Sequence, residues 1–171
     1  SYPLFVALAP KNSDEQKGLL YTAHDYYQIG KVADYVILMT YEWGYTYGEP
    51  MAVSPIPQVK DVIRYAKTVI PKEKIVMGIP NYGYDWKLPY KKGTAANSLS
   101  INEANDLAVK EKVEIKHSPA YLTPYFKYKD ENDIDHIVHF DDACSYKEKI
   151  ELAIKEEIGG ISIWTLSSIN V

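Results

Sequence analysis

Four short apolar runs set the limits on what this chain can fold into. Leu4-Phe5-Val6-Ala7-Leu8-Ala9, Tyr35-Val36-Ile37-Leu38-Met39-Thr40-Tyr41, Ile75-Val76-Met77-Gly78-Ile79-Pro80 and Ile161-Ser162-Ile163-Trp164-Thr165-Leu166 each read as a strand buried on both faces. Helical patterns separate them. One is expected from about Asp25 to Lys31. Another carries Val59, Val62, Ile63, Ala66, Val69 and Ile70 at helical spacing until Pro71 stops it. Buried strands alternating with helices predict parallel βαβ units and an α/β fold. Four such strands are half of an eight-stranded barrel. An open doubly wound sheet competes, but the Gly-rich phosphate loop usual after its first strand is absent.

From about Thr94 to Cys144 the rhythm changes. Ser100-Ile101-Asn102-Glu103 has the capping-box pattern and opens a helix to about Lys112. Tyr125-Phe126-Lys127-Tyr128 and His136-Ile137-Val138-His139-Phe140 flank an Asp/Asn-rich turn, which predicts a β-hairpin. A second capping-box pattern, Ser145-Tyr146-Lys147-Glu148, precedes an apolar stripe at Ile150, Ala153, Ile154 and Ile158, closed by Gly159-Gly160. The expected organisation is three strands with their helices over 1–93, a small α+β insertion over 94–144, and the last helix and strand over 145–171. The chain enters its first strand directly after Ser1-Tyr2-Pro3, as a piece cut from something longer would.

Composition narrows the partners. A net charge of −4 argues against nucleic acid, which needs a positive field. No apolar run approaches membrane-spanning length, and no signal peptide is visible. Sixteen Tyr and three Trp exceed what packing usually demands, and many sit beside Gly and Pro after the strands. Stacking on sugar rings would use such faces; so would half-buried positions that keep a hydroxyl wet. Lys91-Lys92 reads as a solvated loop, with contact to an anionic wall polymer as the other reading. His136 and His139 lack metal-ligand spacing, and His24 and His117 have no visible partner, so no metal is expected. Cys144 is expected to be a lone buried thiol.

Three segments, in order, carry a resemblance. Ile37-Leu38-Met39-Thr40-Tyr41-Glu42 resembles the sixth-strand motif of family 18 of the glycoside hydrolases, Met77-Gly78-Ile79-Pro80-Asn81-Tyr82-Gly83 the seventh, and Gly159-Gly160-Ile161-Ser162-Ile163-Trp164 the eighth. Met51-Ala52-Val53-Ser54-Pro55 and Tyr84-Asp85-Trp86-Lys87-Leu88-Pro89-Tyr90 are similar to its bacterial spore-cortex and peptidoglycan branch. The resemblance implies the C-terminal half, strands five to eight, of a (β/α)8 barrel with an α+β insertion before the last strand. It implies hydrolysis of β-1,4-linked N-acetylglucosamine polymers, peptidoglycan ahead of chitin, in which the substrate's own acetamido oxygen attacks. It implies no cofactor, and a secreted, cell-wall or spore location.

By the same resemblance Tyr41 would hold the acetamido group, and Glu42, where Asp is commoner, would bond sugar hydroxyls or hold the reacting ring. Trp164 would floor the sugar. Met39, Trp43, Asn81, Tyr82 and Trp86 would bind substrate, with Tyr45, Tyr47 and Tyr84 as further candidate walls. The family's proton donor ends an Asp-x-x-Asp-x-Asp-x-Glu motif after strand four. Here Asp130-Glu131-Asn132-Asp133-Ile134-Asp135-His136-Ile137 repeats its Asp spacing but has Ile137 where the Glu belongs, within a predicted hairpin turn. The acid would therefore lie upstream of Ser1, and this chain alone should be inactive. A non-catalytic sugar-binding protein is the rival reading. Half a barrel would also leave strand edges open to self-association.

Overall fold

The computed structural model describes residues 2–165. Ser1, and Leu166 at the end of the last expected strand, lie outside the described residues. The first half of the chain forms β1 (Phe5–Leu8), α1 (Tyr26–Val32), β2 (Tyr35–Leu38), α2 (Ile56–Val69) and β3 (Ile75–Pro80). Then follow β4 (Tyr82–Lys87), β5 (Asn97–Ser100), α3 (Ile101–Lys110), β6 (Lys116–His117), β7 (Pro124–Lys129) and β8 (Asp135–His139). The described chain closes with α4 (Ala143–Lys155) and β9 (Gly160–Trp164).

Two sheets result. The first is fully parallel, in the order β1-β2-β3-β9. Its helix-side face buries Leu8, Val36, Leu38 and Ile75 against Tyr26, Val62, Ala66 and Ile70, and Met77 and Ile79 against Val59, Ile63, Leu152 and Ala153. Each fully buried aliphatic side chain there contributes roughly 1.5–3 kcal/mol. Strand alternation and register put Phe5, Tyr35, Ile37, Gly78, Ser162 and Trp164 on the opposite face. There the outer strands depart from the sequence reading. Phe5 and Trp164 are 50% and 57% exposed, whereas Val76, Gly78 and Pro80 of the inner strand β3, on the same face, are buried. Ile161 and Ile163 on β9 are also exposed. The expectation of burial on both faces holds for β3 and fails for β1 and β9.

The second sheet is antiparallel, in the order β5-β4-β8-β7-β6, with α3 packed on Phe126, Val138 and Phe140. Its strand β4, paired with β5 on one side and β8 on the other, corrects the sequence reading, which put an aromatic loop at Tyr82, Tyr84 and Trp86. Those aromatics alternate with Gly83 and Asp85, so they occupy one face of a strand. Ser100 and Glu103 form the expected capping box of α3. The cap of α4 differs. Asp142 is the N-cap and Ser145 the reciprocating residue, because Asp142 reaches the Ser145 N–H at 2.8 Å while Ser145 Oγ accepts from the Asp142 N–H at 2.9 Å. The buried stripe of α4 is correspondingly rotated. Lys149, Leu152 and Ala153 face inward, whereas Ile150 and Ile154 are exposed. Cys144, expected to be buried, is exposed on the first turn.

The acidic lookalike is a turn, as its sequence suggested. Asp130 Oδ1 accepts from the N–H groups of Asn132 and Ile134, both at 2.9 Å.

Candidate active site at the strand ends

The segment after β2 carries the candidate site, and several backbone contacts place it. Thr40 Oγ1 donates to the Gly78 carbonyl at 2.7 Å, and Ser54 Oγ donates to the Thr40 carbonyl at 2.6 Å. Both hydroxyls are buried, so they hold this segment against β3 and the loop that precedes α2. Tyr41 then lies over Gly78. A Cβ at residue 78 would stand 2.8 Å from the Tyr41 ring and 2.7 Å from the Leu38 carbonyl oxygen, so only glycine leaves room for the ring. Burial, then the nearby Glu42 carboxylate, raises the Tyr41 phenol above its ordinary range. Its hydroxyl keeps its proton at neutral pH and can donate.

Glu42 sits in the left-handed region, with φ of 68°, a conformation that costs a non-glycine residue roughly 1–2 kcal/mol. Its Oε1 accepts from Tyr82 at 2.6 Å and from Tyr84 at 2.9 Å. Burial and the accepting carboxylate push the Tyr82 phenol far upward, and the Tyr84 phenol up to about 12. Neither phenol will ionise near neutrality, so Glu42 is held by two fixed donors. Tyr82 thus meets Glu42 directly. Tyr84, read from sequence only as a possible wall, proves to be its second anchor; the period-2 spacing of Tyr82, Gly83 and Tyr84 was the signal that both point the same way.

Asn81 joins the ends of β3 and β9. Its Nδ2 donates to the Thr165 carbonyl at 2.7 Å and its Oδ1 accepts from the Thr165 N–H at 2.6 Å. With 4% of its surface exposed, Asn81 spends its amide on the segment that presents Trp164. Trp164 itself is open on the face that also carries Gly78, whose register partner is Ser162.

Met39, Tyr41, Glu42 and Tyr45 line a cavity of about 530 Å3 with Ala9, Pro10 and His24. The loop after β1 that forms its other wall is anchored by residues the sequence did not flag. The Ala9 N–H donates to His24 Nδ1 at 2.6 Å, and Tyr26 Oη donates to the Ala9 carbonyl at 2.6 Å. His24 therefore does have a partner.

Two expected wall residues lie elsewhere. Trp43 packs against both helix-side cores, behind the sheet. Trp86 is 2% exposed, packs with Val53, Tyr84 and Ala96, and donates from Nε1 to the Gly48 carbonyl at 3.0 Å. It holds the loop after Glu42 and offers no open face. The sequence showed the aromatics but not which side of the backbone each would take.

The sequence profile described as "Glycosyl hydrolases family 18" matches residues 1–168. The "Cortical fragment-lytic enzyme" of Bacillus subtilis (strain 168) is 47% identical over 161 residues, covering 94% of this chain and 37% of that protein. The crystal structure of the spore cortex-lytic enzyme of Bacillus cereus superposes with a TM-score of 0.95 at 45% identity, over 98% of this chain and 39% of that one. A chitinase from Chromobacterium violaceum shares the fold with a TM-score of 0.90 at 24% identity, over 98% of this chain and 52% of that one. This chain therefore spans about two-fifths of the length of the cortex-lytic relatives it matches.

Proposed function

The chain belongs to family 18 of the glycosyl hydrolases, and on that premise we propose that it is the C-terminal half, strands five to eight, of a (β/α)8 barrel that hydrolyses β-1,4-linked N-acetylglucosamine polymers, peptidoglycan ahead of chitin. The second sheet is then a unit inserted before the eighth strand. The observation that carries the reading is the pairing of a protonated Tyr41 with a carboxylate, Glu42, fixed by Tyr82 and Tyr84 at the C-terminal end of β2. That is the end of the strands where barrel enzymes place their chemistry.

The roles follow from the donors and acceptors. Tyr41 donates to the acetamido oxygen as it swings to attack the anomeric carbon, and so holds the nucleophile in line. The Glu42 oxygen that its tyrosines leave free accepts from a sugar hydroxyl. Trp164 supplies an apolar floor, positioned by the grip of Asn81 on Thr165. Met39 and Tyr45 line the approach. The Asp spacing at Asp130, Asp133 and Asp135 ends in Ile137 and not in the glutamic acid that would protonate the leaving oxygen. That group belongs to the preceding half of the barrel, and this chain alone should be inactive, since general acid catalysis contributes roughly a hundred- to ten-thousandfold.

A chimera tests the reading. This chain replaces the matching segment of the Bacillus cereus enzyme, to which it is 45% identical. The folded chimera should release N-acetylglucosaminyl products from spore-cortex fragments, and Tyr41→Phe should lower kcat by about a hundredfold. A folded chimera without hydrolysis would overturn the proposal and leave a sugar-binding role.

A further inference from the structure

At the β6 edge of the second sheet, three metal-ligating side chains of different chemistry converge from two elements. His117 lies on the edge strand β6, Asp142 caps α4, and Cys144 stands in its first turn. One donor atom from each lies within 4.8 Å of the other two. His117 Nε2 and Asp142 Oδ2 are 2.8 Å apart. We propose that imidazole, carboxylate and thiolate form a site for one thiophilic divalent cation, with Zn2+ as the fitting ion, that ties the edge of the antiparallel sheet to the start of α4.

The donor set argues for this class. A mixed N, O and S set suits zinc, and hard cations such as Mg2+ and Ca2+ prefer oxygen alone. Around one tetrahedral zinc, donors at about 2.0–2.3 Å from the metal stand roughly 3.3–3.7 Å from one another. The present spacing needs only small movements of exposed side chains to reach this. The fourth position faces solvent and is left to water, since His117 and Cys144 are both exposed. Asp142 is already oriented, its other oxygen being fixed on the Ser145 N–H at 2.8 Å, the kind of outer support that ligating carboxylates use.

Charge balance removes the obvious objection. A helix N-terminus disfavours a bare cation. Here a carboxylate and a thiolate bring two negative charges to a doubly positive ion, so the assembled site is neutral. On binding, the Cys144 thiol loses its proton to solvent as the S–metal bond forms, so affinity should rise with pH. The sequence hid the site because 25 residues separate His117 from Asp142, with no short-range ligand motif.

The test uses the folded chimera described above, kept reduced with a phosphine that does not bind metal. Zn2+ titrated calorimetrically should bind at one equivalent. Co2+ in its place should give a thiolate charge-transfer band and the intense visible bands of a tetrahedral site. Cys144→Ser should abolish the charge-transfer band, and His117→Ala should weaken Zn2+ binding by at least about tenfold. Both side chains are exposed, and circular dichroism checks that the variants fold. Absence of saturable one-equivalent binding overturns the proposal, as does wild-type affinity in either variant. In both cases His117 and Asp142 are a surface ion pair only.

Discussion

At the scale of single residues, Gly78 and His139 carry consequences out of proportion to their size. A methyl at residue 78 meets the Tyr41 ring and the Leu38 carbonyl at once. Gly78→Ala should therefore cost about 1–3 kcal/mol in urea denaturation. In the chimera it should lower kcat more than it raises KM, because Tyr41 must move. An unchanged kcat would detach Tyr41 from the chemistry. His139 lies between Trp86 and Tyr125, with ring centroids 5.9 and 5.7 Å away. Burial, aided by Lys127, pulls its pKa from 6.5 down to about 4. The native state resists protonation that the unfolded chain accepts. Its contribution is thus complete above pH 6.5 and is lost as pH falls towards 4, on the order of 3 kcal/mol across that window. His139→Phe should flatten the fall in denaturation midpoint between pH 7 and pH 4.5; an equal fall in the variant would locate the acid sensitivity elsewhere.

At the scale of elements, α4 shows what pattern reading captures and what it misses. Lys149 is fully buried and pairs with the equally buried Asp141, whose Oδ1 also accepts from Ser145 Oγ at 2.6 Å. Lys149→Met alone should cost about 3–5 kcal/mol in chemical denaturation, since it strands a buried carboxylate. Lys149→Met with Asp141→Leu should recover most of that loss. If the double variant were no better than the single one, the pair would not be the source of the cost. A lysine on the inner face is what displaced the expected Ile150 and Ile154 stripe, since hydrophobic periodicity assigns such a residue to solvent. The helices α1, α2 and α3 and the β7–β8 hairpin were legible, because their caps, Pro71 stop and turn chemistry are local signals. Strand β4 was not, since aromatics beside Gly read equally as loop or strand. Within the proposed site, Tyr41, Glu42 and Trp164 stood out in the sequence as motif residues. The tyrosine pair on Glu42 and the amide grip of Asn81 were not, because they arise from contacts between elements about 40 and 84 residues apart.

At the scale of the molecule, the open face of the parallel sheet is the dominant feature. Phe5 and Tyr35 stack on it with ring centroids 4.7 Å apart, and Trp164 stands exposed on β9 at the other edge. Such a surface, with the outer edges of β1 and β9 unpaired among the described residues, favours pairing. Sedimentation of the isolated chain should show concentration-dependent association, and a monodisperse monomer at high concentration would count against it. The two sheets meet with almost no slack: β3 ends at Pro80, β4 begins at Tyr82, and Asn81 alone lies between them while gripping Thr165. In evolutionary terms this junction is closed to insertion and deletion. One added residue would turn Tyr82 and Tyr84 to the wrong face and pull the amide from its strand partner. Length variation among descendants of this sequence should therefore collect in surface segments such as 91–95 and 130–134, and the residue count between the third parallel strand and its antiparallel continuation should stay constant.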